Sequence, residues 1–98
     1  MKHYTPDRWV ILTIKTGDES IDKVFAGWYG GFITDDTWKL SSGIVDLTDN
    51  GDSVEFINHS GSVYRCYKEC YGMSAVMNGV YQNWLAETDC EILLHDKA

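Results

Sequence analysis

The residues best suited to chemistry are three cysteines, three histidines and several closely spaced acids. Cys66 and Cys70 are separated by three residues, a spacing that zinc sites use, but zinc needs four ligands and only Cys90 remains among the cysteines. Cys66 also alternates with Tyr64 along a predicted strand, as a small core residue would. These patterns favour buried free thiols, and no metal ligand is assigned.

Nucleophilic and acid–base catalysis have equally little support. Ser60 directly follows His59, and neighbouring residues of a chain do not normally face each other productively; no nucleophile elbow is present. Asp35 and Asp36 could hold a cation through oxygens, but the acids around Asp49 lack EF-hand spacing. We therefore assign no catalytic residue and no cofactor, and expect a protein that is not an enzyme.

Composition narrows the class of partner. A chain of 98 residues with 44% hydrophobic residues predicts a single domain spanning residues 1–98. The net charge of −7 disfavours direct nucleic-acid binding and anionic membranes, and favours a protein with a basic surface. No charged-then-apolar leader and no apolar run of membrane-spanning length occur, so a cytoplasmic location is expected.

The first half of the chain predicts three strands. Arg8–Lys15 is apolar on both faces, which is typical of a central strand covered on two sides. Thr16–Asp22 predicts a polar turn before a second strand, Lys23–Tyr29. The third strand, Thr37–Thr48, is interrupted at Ser41–Gly43.

A hairpin and a helix follow. Asp49-Asn50-Gly51 predicts a β-hairpin between Ile44–Leu47 and Ser53–Ile57, and Asn58–Ser62 predicts a second turn before Val63–Lys68. Ser74 is a suitable N-cap for a helix, and Gly79 within that helix suggests a close approach to a sheet. The helix is predicted over Ala75–Ala86, with the apolar stripe Met77, Val80, Tyr81, Trp84 and Leu85, before a last strand, Cys90–Leu94.

This order of elements predicts an α+β fold. The expected architecture is an antiparallel β-meander of about five to six strands with one C-terminal helix packed on a face. The alternative is a small SH3-like β-barrel with an added helix, in which Gly27, Gly30 and Gly43 turn the corners.

The aromatic residues are the clearest indication of binding. Some must reach the surface of so small a domain, and Tyr, Trp and Arg dominate protein–protein hot spots. Neighbouring acids could face a basic groove, while a Ser-Gly-Ser turn beside an arginine could hold an anion. The candidate binding residues are Trp28, Tyr29, Asp35, Asp36, Trp38, Ser60, Ser62, Tyr64 and Arg65.

Three segments carry a resemblance. KVFAGWYGGF, TWKLSSGI and HSGSVYRCYKECYGM, all within Lys23–Met73, resemble small proteins encoded by tailed phages and prophages. The resemblance implies a genomic setting and transfers no functional residue. Small acidic phage proteins of this kind often bind and block a host defence or metabolic protein in the host cytoplasm, which is what the setting suggests here.

Two functional hypotheses follow. The first is a non-enzymatic phage-encoded inhibitor that binds a host defence or nucleic-acid-processing protein, anchored by Trp28, Tyr29 and Trp38. The alternative is a sponge for a nucleotide signal, in which aromatic rings stack on the base while Ser60, Ser62 and Arg65 hold phosphate.

The state of assembly has two expected forms. The apolar surface at Trp9, Ile11, Tyr64 and Tyr67 exceeds what one short helix can cover, which predicts a homodimer. The competing expectation is a monomer whose sheet curls over its own inner face.

Overall fold

The strands are divided between two sheets. A computed structural model describes residues 2–30, 36–87 and 91–94 of the chain. The elements within these ranges are β1 (His3–Tyr4), β2 (Arg8–Thr16), β3 (Glu19–Trp28), β4 (Thr37–Leu40), β5 (Ile44–Asp49), β6 (Ser53–Asn58), β7 (Val63–Tyr67), a short 3₁₀ turn (Lys68–Cys70), α1 (Ala75–Glu87) and β8 (Glu91–Leu94). The α+β class is therefore confirmed.

The outer sheet has the strand order β1-β7-β6-β5, and the central sheet has the order β4-β3-β2-β8. All pairs are antiparallel except β1 with β7, which is parallel. The predicted third strand, Thr37–Thr48, is two strands that belong to different sheets. The chain changes sheet at Ser41–Gly43, where Gly43 has φ of 144° and an added Cβ would lie 2.5 Å from Ile21 Cδ1.

The turn predicted over Thr16–Asp22 is shorter in the structure. β2 and β3 are joined by a two-residue hairpin loop at Gly17 and Asp18, with Thr16 paired to Glu19. Gly17 has φ of 62°, as such a tight loop requires. The polar residues after the loop extend β3 because an exposed hairpin end can pair its backbone without burying its side chains.

Trp9 lies at the centre of the core between the two sheets. Its side chain is 3% exposed, its ring centroid lies 5.7 Å from that of Phe56, and its Nε1 donates to the Tyr67 carbonyl oxygen over 2.7 Å. The residues that share this core are Trp9, Val24 and Ala26 of the central sheet and Val54, Phe56, Tyr64 and Cys66 of the outer sheet.

The helix covers the opposite face of the central sheet. Val10, Leu12 and Phe25 pack against Met77 of α1, so β2 is covered on both faces as predicted. Ser74 Oγ accepts a hydrogen bond from Met77 N over 3.2 Å, which confirms the N-cap. No helix in the described ranges is both long and apolar enough to cross a membrane.

Two expectations about α1 were wrong. Leu85, assigned to the apolar stripe, is exposed, and an alanine Cβ at Gly79 would meet no atom within 4 Å. The close approach between helix and sheet occurs instead at Gly27 of β3. A Cβ there would overlap Met77 Sδ and lie 2.8 Å from Met77 Cγ. The absence of a side chain at Gly27 therefore lets α1 dock.

The apolar surface that predicted a homodimer is covered within one chain. Trp9 and Tyr64 are buried between the two sheets, and Ile11 and Tyr67 are half-buried. The two sheets supply the cover that a second copy was expected to provide. The homodimer therefore stays a prediction, but an uncovered apolar surface at these four residues no longer supports it.

Candidate ligand-binding groove

An open groove of about 610 Å³ is lined by residues of both sheets. The outer sheet contributes β1, the Ser60–Ser62 turn and β7, while the central sheet contributes β3, β4 and the loop after β4. The lining residues are Lys2, Tyr4, Lys23, Lys39, Leu40, Ser41, Ser42, Ser60, Gly61, Ser62 and Tyr64.

Serine hydroxyls join the two walls of the groove. Ser42 Oγ donates to Ser60 Oγ over 3.0 Å and accepts from Ser60 N over 3.0 Å. Ser60 Oγ and Ser62 Oγ lie 3.2 Å apart, within hydrogen-bond distance. Ser41 has a structural role, because its buried Oγ accepts from Val24 N and anchors the loop to β3.

The Ser60–Ser62 turn is held from beneath by Asn58. The Asn58 side chain is buried, and its Nδ2 donates to the Phe56 and Ser62 carbonyl oxygens over 3.2 Å each. Gly61 has φ of 94°, and its N donates to the Asn58 carbonyl oxygen. The second predicted turn is therefore confirmed, and it fixes the position of the serine hydroxyls.

The charge of the groove is opposite to that of the chain. The groove is lined by three of the chain's eight Lys and Arg residues: Lys2, Lys23 and Lys39. None of the lining residues is acidic, although the chain has 15 Asp and Glu residues. Across residues 2–30, 36–87 and 91–94, none of these three lysines forms an ion pair. Lys39 Nζ lies 5.4 Å from the centroid of the Tyr4 ring, a cation–π contact.

Tyr64 contributes an uncharged phenol to the outer-sheet wall of the groove. Its ring stacks on Tyr4 with centroids 4.8 Å apart. Burial raises the pKa of Tyr64 to about 12, with smaller contributions from Tyr4 and Cys66. The phenol therefore keeps its proton at neutral pH.

Ser60 and Ser62, which were proposed from the sequence with Arg65 to hold an anion, line the groove, as does the binding candidate Tyr64. Arg65 does not. Arg65 lies on the exposed face of β7, where its Nη2 is 3.1 Å from Glu55 Oε2, and this pairing raises the pKa of Arg65. The pKa of Glu55 is lowered, first by the hydrogen bond from Asn50 and then by the pairing with Arg65. The basic side chains that line the groove are Lys2, Lys23 and Lys39.

The candidates for protein binding are dispersed. Trp28 is half-buried and its Nε1 donates to the Thr5 carbonyl oxygen over 3.1 Å, whereas Tyr29 is 55% exposed. Trp38 is 42% exposed, with its ring edge-on to Phe25 and Trp84. Asp36 Oδ1 accepts from Gly30 N over 2.8 Å, and Asp35 lies outside the described residues.

Among the remaining chemical candidates, Asp49 stabilises a hairpin turn and Cys66 packs in the core. Asp49 accepts from Gly51 N within the hairpin turn and pairs with Lys68, and both contacts lower its pKa. Cys66 is buried, as expected of a core thiol, and burial raises its pKa. The described residues contain no group of three His, Cys, Asp or Glu that could hold a metal ion; Cys90 is not among them.

Sequence reasoning missed the lysines because no short-range spacing connects them. Lys39 reaches the groove because β4 pairs with β3, where it lies opposite the buried Ala26. Lys2 and Tyr4 reach it because β1 pairs with β7, with Tyr4 opposite Tyr64. The sequence feature that could have indicated these lysines was a basic residue close to buried positions in an acidic chain. Recognising it requires knowledge of how the strands pair.

Comparisons with protein-family models, with curated proteins and with solved structures find no match. The resemblance to tailed-phage proteins therefore stays a prediction.

Proposed function

We propose that this is a non-enzymatic binding protein that captures a small phosphate-bearing anion in the groove. The observation that carries the proposal is the concentration of Lys2, Lys23 and Lys39 beside serine hydroxyls, with no acid in the lining. This is the ligand-sequestering hypothesis drawn from the sequence, with lysines in place of Arg65.

The net charge of −7 does not oppose this function. At physiological ionic strength, charges more than about 8 Å apart are largely screened from each other. The electrostatic energy of an anion in the groove therefore depends mainly on the nearest lysines. Ammonium groups bind phosphate as point charges, and hydroxyls add hydrogen bonds. All lining residues belong to one chain, so the site needs no second copy.

Removing groove lysines should weaken anion binding. The double variant Lys23→Met and Lys39→Met removes two positive charges close to the anion. The Kd for inorganic pyrophosphate should rise by about tenfold or more, and a tenfold rise corresponds to a loss of about 1.4 kcal/mol in binding free energy. Isothermal titration calorimetry measures the Kd. A rise in melting temperature with added pyrophosphate is the supporting measurement, because a ligand that binds only the folded state stabilises it.

Lys15→Met is the matched control, because Lys15 is exposed on β2 and does not line the groove. It removes one positive charge and should leave the Kd nearly unchanged. Equal weakening by single Lys15, Lys23 and Lys39 variants, or no binding of pyrophosphate at millimolar concentration, would reject the groove as the site.

A second candidate is the phage-encoded inhibitor of a host protein. The observation that favours it is the aromatic pair where β4 meets α1: Trp38 is 42% exposed, Trp84 is half-buried, and their ring centroids lie 5.3 Å apart. Exposed aromatic side chains are frequent anchors of protein interfaces. The partner would present a basic surface, and the setting would be the host cytoplasm.

If this surface anchors an inhibitor, affinity capture from bacterial lysate should recover a stoichiometric partner with the wild-type chain, and high salt should reduce the recovery. Trp38→Ala should abolish it, whereas Leu47→Ala, exposed on β5, should not. A partner retained by folded Trp38→Ala would contradict this interface.

A further inference from the structure

Given the proposed anion-binding function, we propose that the groove recognises the diphosphate group of its ligand and makes no stacking contact with a base. The ligand class is then organic or inorganic diphosphates, bound with little regard to what the diphosphate carries. This departs from the expectation that tyrosine rings would hold a nucleobase.

The ring of Tyr4 is already surrounded. Tyr64 stacks on it at 4.8 Å, Trp28 meets it edge-on at 6.1 Å, and the Lys39 ammonium lies 5.4 Å from its centroid. Tyr64 is only 1% exposed. A nucleobase needs an open aromatic face for stacking, and these two rings of the groove are occupied by protein groups.

The serine hydroxyls of the groove keep one free donor, which adds to the ammonium donors of the lysines. Ser42, Ser60 and Ser62 have three hydroxyl protons among them, and the two bonds that link their oxygens use two. Whichever way the Ser60–Ser62 bond is directed, one O–H remains to donate outside the chain of hydroxyls. Lysine ammonium groups are donors only. A ligand group that only accepts, such as phosphate, matches this set.

The spread of the lysines favours two linked phosphates over one. Lys2 belongs to the outer-sheet wall, while Lys23 and Lys39 belong to the central-sheet wall. The groove volume of about 610 Å³ is within the range of small-molecule sites and exceeds the needs of a single phosphate. A diphosphate can contact both walls, and its charge of about −3 is balanced by the three lysines.

The test is a calorimetric series in buffer without divalent cations, using inorganic phosphate, inorganic pyrophosphate, ADP, UDP and adenosine. Pyrophosphate, ADP and UDP should bind within about threefold of one another, and inorganic phosphate about tenfold more weakly, because it engages fewer lysines. Adenosine should give no heat of binding at millimolar concentration.

The outcomes separate this inference from the function on which it rests. Binding of ADP without binding of pyrophosphate, or a difference of tenfold or more between ADP and UDP, would show base recognition and overturn the inference while the anion site stands. Inorganic phosphate that binds as tightly as pyrophosphate would also overturn it. Failure of every phosphate compound to bind would overturn both.

The triple variant Ser42→Ala, Ser60→Ala and Ser62→Ala tests the hydroxyl contribution, because replacing Ser60 and Ser62 alone would free the Ser42 O–H that donates to Ser60. It should weaken pyrophosphate binding by about tenfold or more, which corresponds to the lower end of the range for one hydrogen bond to a charged group. A melting temperature close to that of the wild type would show that the turn is intact, since Asn58 holds it through the backbone carbonyl of Ser62. Unchanged pyrophosphate affinity in that folded variant would remove the hydroxyl from the site.

Discussion

Replacing Trp9 with alanine should lower the free energy of unfolding by about 3–5 kcal/mol, the range for large aromatic residues deleted from a core. Trp9 is 3% exposed and contacts the rings of Phe56 and Tyr71 with centroids 5.7 and 5.1 Å away. The substitution opens a cavity between the sheets. It also removes the Nε1 donor to the Tyr67 carbonyl oxygen.

Urea denaturation followed by far-UV circular dichroism measures this loss. Trp38→Ala removes the same side chain from a position that is 42% exposed and should cost less than half as much. Should Trp9→Ala not fold, Trp9→Phe supplies an intermediate step, because it keeps an aromatic ring and loses the hydrogen bond. Equal losses at Trp9 and Trp38 would show that the intersheet core is not centred on Trp9.

Gly27→Val should destabilise the protein by about 1–3 kcal/mol, the usual cost of overpacking. An added Cβ would overlap Met77 Sδ, and Met77 is fully buried, so it has little room to move. Gly27 is not among the residues with positive φ, so the cost is steric. Hydrogen exchange should show loss of protection concentrated in α1.

Two further variants identify the contact. Gly79→Ala, in open space on the same helix, should stabilise by about 0.5–1 kcal/mol, because alanine loses less conformational entropy than glycine. Met77→Ala should cost less in the Gly27→Val background than alone, because it removes the overlapping atoms. Additive losses in that double-mutant cycle would place the clash elsewhere.

Local patterns predicted the elements that depend on local interactions. The hairpin around Asp49-Asn50-Gly51 forms between β5 and β6, and the helix expected over Ala75–Ala86 spans Ala75–Glu87. Both are encoded within a few residues, by turn-forming side chains and by an N-cap. The division into two sheets was not predicted, because Ser41–Gly43 indicates a break in a strand without indicating where the next strand pairs.

The groove was predicted only in its local part. Ser60 and Ser62 share one turn, and their tendency to bind anions could be proposed from five consecutive residues. Lys39 and Tyr4 belong to the groove through a register that brings distant strands together. Arg65 was assigned to the anion because it is close in sequence, yet strand alternation points it to Glu55.

The parallel pairing of β1 with β7 has a consequence for folding kinetics. His3 pairs with Val63, sixty residues later, whereas β2–β3 and β5–β6–β7 pair between neighbours in the chain. Contacts with large sequence separation carry the greatest loop-closure entropy, so β1 should dock after the transition state. The groove, which takes Lys2 and Tyr4 from this segment, is then completed late in folding. A ligand bound there should slow the unfolding rate and leave the refolding rate nearly unchanged.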